Sequence, residues 1–294
     1  MNLNNNRLSV EIAEPGSIYN RTRFDWTGFI TQVTLDGRHT FCSRESNRVG
    51  KGTGGIGMCN EFGIFGPIGF DDARPGESFV KPGVGLLVRP DEEEYEFVRA
   101  YDFTPFEITT SCNSDEANFV VQPLPCRGYA LRLQKTVRLQ KNELHIEYAL
   151  ENVGERRLQV QEYNHNFLAI NNAPIGPDYE ITTPVTLSGA RIPAVLKVDK
   201  LQVSLRKTPG RSFYCRATKA LPGRADTEQN TMQPIWSLIH RPSGLVVQEH
   251  GDYQLDMFAL WGDSHVVSPE AFVNIDVLPG ETQRWTRCYK FFQS

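Results

Sequence analysis

The chain has 294 residues, of which 39% are hydrophobic, 11% aromatic and 22% charged. That is the composition of an ordinary globular protein long enough to bury a sizeable core. A formal net charge of −4 argues against nucleic acid as the main partner, since phosphate binding leaves a basic footprint, and no apolar run approaches the ~20 residues of a membrane span.

The N-terminal stretch from Met1 to Arg7 lacks the apolar centre of a signal peptide, so the expected location is the cytoplasm. Residues 28–35 alternate in the manner of a strand and end on the turn dipeptide Asp36-Gly37. From about Arg44 to Pro90 the pattern becomes irregular and glycine-rich. The run Lys51-Gly52-Thr53-Gly54-Gly55-Ile56-Gly57 does not have the spacing of a phosphate-binding loop, and no helical period follows it. This segment is expected to be a loop-rich insert on the mouth of a β fold, where binding groups often sit.

Strand-like alternation returns over 119–122 and strengthens over 129–139 and 142–151, with Leu144, Ile146, Tyr148 and Leu150 on one side. Turns at Gln140-Lys141-Asn142 and Asn152-Val153-Gly154-Glu155 separate these from a third run, 157–162. The reading is three consecutive antiparallel strands leading into His165. Within 160–170 that histidine sits among polar and aromatic neighbours. Residues of equal parity share a face of a strand, which puts Asn164 and Asn166 opposite His165 in a supporting role. Further strands are expected at 201–205, 235–239, 245–249 and 283–291. Trp261 precedes Gly262-Asp263-Ser264-His265, read as a loop leading to Glu270. Its flat ring suits the apolar face of a sugar, although a buried structural role fits a tryptophan equally well.

The six cysteines are scattered, with no CxxC pair, so a zinc motif or a thioredoxin-like motif is not expected. Many short strands with turns between them, and no linker, point to one all-β domain over 1–294 with the insert at about 44–90.

Four segments resemble the aldose 1-epimerase (galactose mutarotase-like) superfamily. They are the early strand ending at Asp36-Gly37; the series from Leu131 to Leu150 followed by Asn152-Val153-Gly154; Asn164-His165-Asn166-Phe167-Leu168; and Pro269-Glu270-Ala271-Phe272 followed by Leu278-Pro279-Gly280-Glu281. The resemblance implies a large antiparallel β-supersandwich and interconversion of the anomers of an aldose or sugar derivative. It implies His165 as general acid and Glu270 as general base, with no metal or organic cofactor. That role needs the pair to face each other across a cleft, close enough to span one pyranose.

The chain departs from the family in its early loop. Asn60-Glu61 stands where an Asn-Arg pair is usual, and Lys81 where a second histidine is usual. With Asn164 and Trp261, these residues form the expected sugar-binding set, and the sugar itself is left unspecified. The expected partner is a small carbohydrate, with no nucleic acid and no membrane, and a homodimer is left open. The alternative is a non-catalytic carbohydrate-binding protein on the same fold, because a fold does not fix a function.

Overall fold

The computed structural model describes residues 1–48, 50–187, 192–217 and 234–294. Among these the secondary structure is β throughout, apart from a 3₁₀ turn at Ile170–Asn172. Two large antiparallel sheets, of nine and ten strands, pack face to face, and a third sheet of three strands stands beside them. No helix among the described residues is long and apolar enough to cross a membrane.

The alternation seen in the sequence is the cause of the packing. In the strand Leu131–Gln140, residues 131, 133, 137 and 139 are buried against the opposite sheet while residues 134, 138 and 140 face solvent. The neighbouring strand Glu143–Asn152 does the same with Leu144, Ile146, Tyr148 and Leu150. Trp285, from the strand Thr282–Gln293, stacks on Tyr148 with ring centres 4.7 Å apart.

The third run departs from the expected order. Strands Leu131–Gln140 and Glu143–Asn152 pair with each other. The strand Leu158–Asn166 instead joins the other sheet, between Met58–Phe62 and Val266–Val277. The Asn152-Val153-Gly154 turn is therefore a crossing between sheets. Asn152 is buried and fastens it, donating from Nδ2 to the carbonyls of Arg156 and Val277, each at 2.9 Å. Gly154 is required because a Cβ there would lie 2.5 Å from the Ala130 nitrogen.

The segment at about 44–90 is also more ordered than a loop. Met58–Phe62 is an interior strand of the nine-stranded sheet, and Ser78–Lys81 and Gly85–Val88 build the small sheet with Phe103–Pro105. Glu270 lies within the strand Val266–Val277, not after a loop. Trp261 lies in the preceding strand Leu255–Asp263, and a tight turn at Ser264-His265 joins the two.

A seam of buried charge runs between the large sheets. Arg287 reaches Glu162 at 2.7 Å and Glu249 at 2.5 Å, and Lys135 reaches Asp25 at 2.9 Å. Both cations occupy inward positions on otherwise apolar strand faces. Charges so deeply buried persist only when paired, since each one alone costs several kcal/mol in lost hydration.

Candidate functional site

Strand register places the central pair. Tyr163 is opposite Phe272, and continuing that antiparallel register by two residues sets His165 beside Glu270. Their parity is equal, so both side chains leave the nine-stranded sheet on the face turned away from the other large sheet. His165 Nε2 lies 3.3 Å from Glu270 Oε1, with the two side chains only 6% and 4% exposed. Asn166 fixes the neighbouring backbone: its amide N–H donates to Ser268 Oγ at 2.9 Å, and its Nδ2 donates to the Pro269 carbonyl at 2.8 Å.

An aromatic box surrounds the imidazole. Phe167 stacks on it with centres 4.0 Å apart and planes at 16°, and Trp261 meets it edge-on at 5.3 Å. Gly55 makes the stack possible, because a Cβ there would sit 2.2 Å from Phe167 Cε2. His165 Nδ1 is buried with no hydrogen-bond partner. Such an orphaned polar atom costs ~1–3 kcal/mol.

A cavity of about 940 Å³ covers the pair. His165, Glu270, Trp261, Tyr163 and Phe272 form its floor, and Arg23, Thr53 and Phe97 close one side. Arg21, Arg99 and Arg216 also line it. Arg99 is tied to Asp91, whereas Arg216 is exposed and makes no ion pair among the described residues.

Arg23 organises the wall. It donates to Glu61 Oε2 at 2.9 Å, to Thr53 Oγ1 at 2.9 Å and to the Tyr163 hydroxyl at 3.1 Å. The Tyr163 hydroxyl in turn donates to Glu61 at 2.7 Å. Lys81 approaches the other oxygen of Glu61 at 3.4 Å and donates to the Tyr95 hydroxyl at 3.0 Å.

Burial favours neutral forms at the centre. It pushes the Glu270 carboxyl up to about 8, against the opposing pull of Arg23 and a hydrogen bond from Ser268. It drives the His165 imidazole well below its ordinary value, and the positive charge of Arg23 adds to the effect. Both shifts favour a protonated Glu270 facing a neutral imidazole. The resemblance implies the other assignment, an imidazolium acid and a carboxylate base.

The expected binding residues divide in two. Trp261 lines the cavity with His165 and Glu270; Asn60, Glu61, Lys81 and Asn164 do not. Glu61 and Lys81 are fully buried behind Arg23, where each neutralises a neighbour. Asn60 and Asn164 are register partners on the inward face. Asn60 bonds Glu162 and the Tyr163 carbonyl, and Asn164 donates to the Tyr289 hydroxyl at 2.8 Å. The parity reading had placed Asn164 opposite His165, and that is where it lies. The side chains that sequence reasoning overlooked are Arg23, Tyr163, Thr53 and the arginines Arg21, Arg99 and Arg216. Tyr163 shares the parity of His165, which was the available signal for it; the arginines carry none in their local sequence.

The fold has known counterparts. A putative aldose 1-epimerase from Escherichia coli K12 superposes with a TM-score of 0.61 at 13% identity, covering 100% of this chain and 98% of that one. A galactose mutarotase-like protein from Clostridium acetobutylicum gives 0.62 at 8% identity, covering 100% and 95%. A galactose 1-epimerase from Lactobacillus acidophilus gives 0.53 at 16% identity, covering 99% and 93%. No family profile matches the sequence, and no curated protein sequence matches it. The architecture is thus the galactose mutarotase-like β-supersandwich, and at these identities the likeness is one of fold.

Proposed function

We propose that the chain is an aldose 1-epimerase-type isomerase, opening and reclosing a sugar ring with His165 and Glu270. One observation carries the reading: an imidazole and a carboxyl 3.3 Å apart on the floor of a ligand-sized cavity. The anomeric hydroxyl oxygen and the ring oxygen are bonded to the same carbon. Two proton-transfer groups serving them must therefore be close neighbours, not a pyranose width apart as the sequence reading supposed.

The proton count closes. His165 Nε2 takes the proton of the anomeric hydroxyl while Glu270 gives its proton to the ring oxygen. The bond from the anomeric carbon to the ring oxygen breaks and a carbonyl forms. Rotation about the adjacent carbon–carbon bond presents the other carbonyl face, and the same transfers in reverse close the ring as the opposite anomer. Burial favours an uncharged resting pair, a carboxyl that can give a proton and an imidazole nitrogen that can take one. Positioned groups of this kind typically supply about 10²–10⁴-fold.

The substrate we favour is an aldose bearing an anionic group. The cavity is near the top of the ~300–1,000 Å³ range of small-molecule pockets, which leaves space beyond one ring. Arg21, Arg99 and Arg216 line it in a chain whose net charge is negative. Guanidinium groups suit phosphate and carboxylate. The flat rings of Trp261 and Phe272 are available to the apolar face of the ring. A panel of aldoses, uronic acids and sugar phosphates, assayed by NMR saturation transfer between anomers, tests the proposal. Catalysed exchange of at least one of them supports it, and no acceleration of any opposes it.

A further inference from the structure

A second constellation lies on the other large sheet. Glu143, His145 and Cys288 present donor atoms that all fall within 4.8 Å of one another. The sheet itself assembles them. Glu143 and His145 are two apart on one strand, on the face opposite buried Leu144 and Ile146. Cys288 is the register partner of His145 on the next strand. His145 and Cys288 therefore stand side by side on neighbouring strands, with the carboxylate two residues along.

The spacings are informative. His145 Nε2 is 3.3 Å from Glu143 Oε2 and 3.8 Å from Cys288 Sγ. Tetrahedral zinc, with bonds of about 2.0–2.2 Å to nitrogen and oxygen and about 2.3 Å to sulfur, has N···O and N···S edges of about 3.3 and 3.6 Å. Two of the three donor–donor edges are thus close to those such an ion needs. The other Glu143 oxygen accepts from Lys290 Nζ at 3.2 Å, which orients the carboxylate and leaves Oε2 for the metal. Outer contacts of this kind commonly fix metal ligands. Cys288 is buried, while Glu143 and His145 keep 30% and 18% of their side chains exposed, enough for entry from solvent.

We propose that Glu143, His145 and Cys288 bind a zinc-class divalent cation on the outer face of the ten-stranded sheet, with water as the fourth ligand. The ion would tie together strands Glu143–Asn152 and Thr282–Gln293 and is separate from the sugar-handling cavity. Metal entry displaces the thiol proton, so affinity rises with pH.

The test uses the full chain, stripped with a chelator and titrated with Co²⁺. The expected result is one cobalt per chain with a thiolate-to-cobalt charge-transfer band, abolished by Zn²⁺ competition. Cys288→Ser removes the band, His145→Ala weakens binding at least tenfold, and Cys112→Ser, at an exposed cysteine, changes neither. Circular dichroism checks that each variant is folded; should Cys288→Ser not fold, alkylation protection of the Cys288 thiol by Zn²⁺ in the wild type replaces it. Absence of a thiolate band in the wild type, its survival in Cys288→Ser, or alkylation of Cys288 at an unchanged rate with Zn²⁺ overturns the proposal.

Discussion

Glu270 faces His165 because of strand register: the two lie side by side on neighbouring strands with their side chains on one face, Oε1 and Nε2 3.3 Å apart. A pair held by a sheet is more rigidly positioned than one held by loops, which suits groups that must meet two adjacent oxygens of a ligand. The predictions below follow from how that pair is held and charged.

The pH profile of anomer exchange is expected to fall on the alkaline side at about 8, where Glu270 loses its proton. Its acid limb is expected well below the ordinary histidine value, because burial depresses His165. The stability consequence has a definite sign. The Glu270 contribution is fully present below the unfolded carboxyl pKa of about 4.3 and is lost as pH rises through about 8. Glu270→Gln should therefore lose less stability than the wild type across that window. Urea unfolding at several pH values measures the difference.

Gly55→Ala is expected to disable the site without touching it. The new methyl would overlap Phe167, whose ring stacks on His165. Overpacking of this kind costs about 1–3 kcal/mol, and displacement of the imidazole should lower kcat tenfold or more. Thermal unfolding and the exchange rate, measured together, check both effects.

Arg23→Met should be among the most damaging single changes. It leaves Glu61 buried with only the more distant Lys81 as a cation and takes a donor from Tyr163. Loss of one partner of a buried ion pair costs about 3–5 kcal/mol. Arg23→Lys should recover little, since an ammonium cannot reproduce contacts to Glu61, Thr53 and Tyr163 at once. Denaturant midpoints for both variants decide the matter.

Arg216→Ala is expected to leave stability unchanged, as the residue is exposed and makes no ion pair among the described residues. For an anionic aldose it should raise KM several-fold with little change in kcat, the signature of uniform binding lost. A neutral aldose should show no difference between the two proteins.

Much of the fold was legible because alternation is a local signal. The runs at 129–139 and 142–151 became strands Leu131–Gln140 and Glu143–Asn152, paired as a hairpin. What a strand pairs with is not local. The run at 157–162 carried the same signal, yet its strand crosses to the other sheet at a turn enforced by Asn152 and Gly154. The site shows the same division. Parity gave the face of His165 and set Asn164 opposite it. Parity also separates Asn60 from Glu61, but nothing in the sequence shows that Arg23 would stand between Glu61 and the cavity. The Glu143, His145 and Cys288 cluster was hidden for a related reason. Spacing along the chain reveals metal motifs on one loop or helix, whereas here register brings residues 143 positions apart into contact.

The most direct measurement of the central claim is anomer exchange by NMR saturation transfer on a turned-over aldose, with wild type, His165→Ala, Glu270→Gln and the double variant. The account predicts that each single change lowers the catalysed rate by about 10² or more in a folded protein, and that the double variant is little worse than either, because the two groups act as one proton-transfer unit. Full activity in either single variant would contradict it.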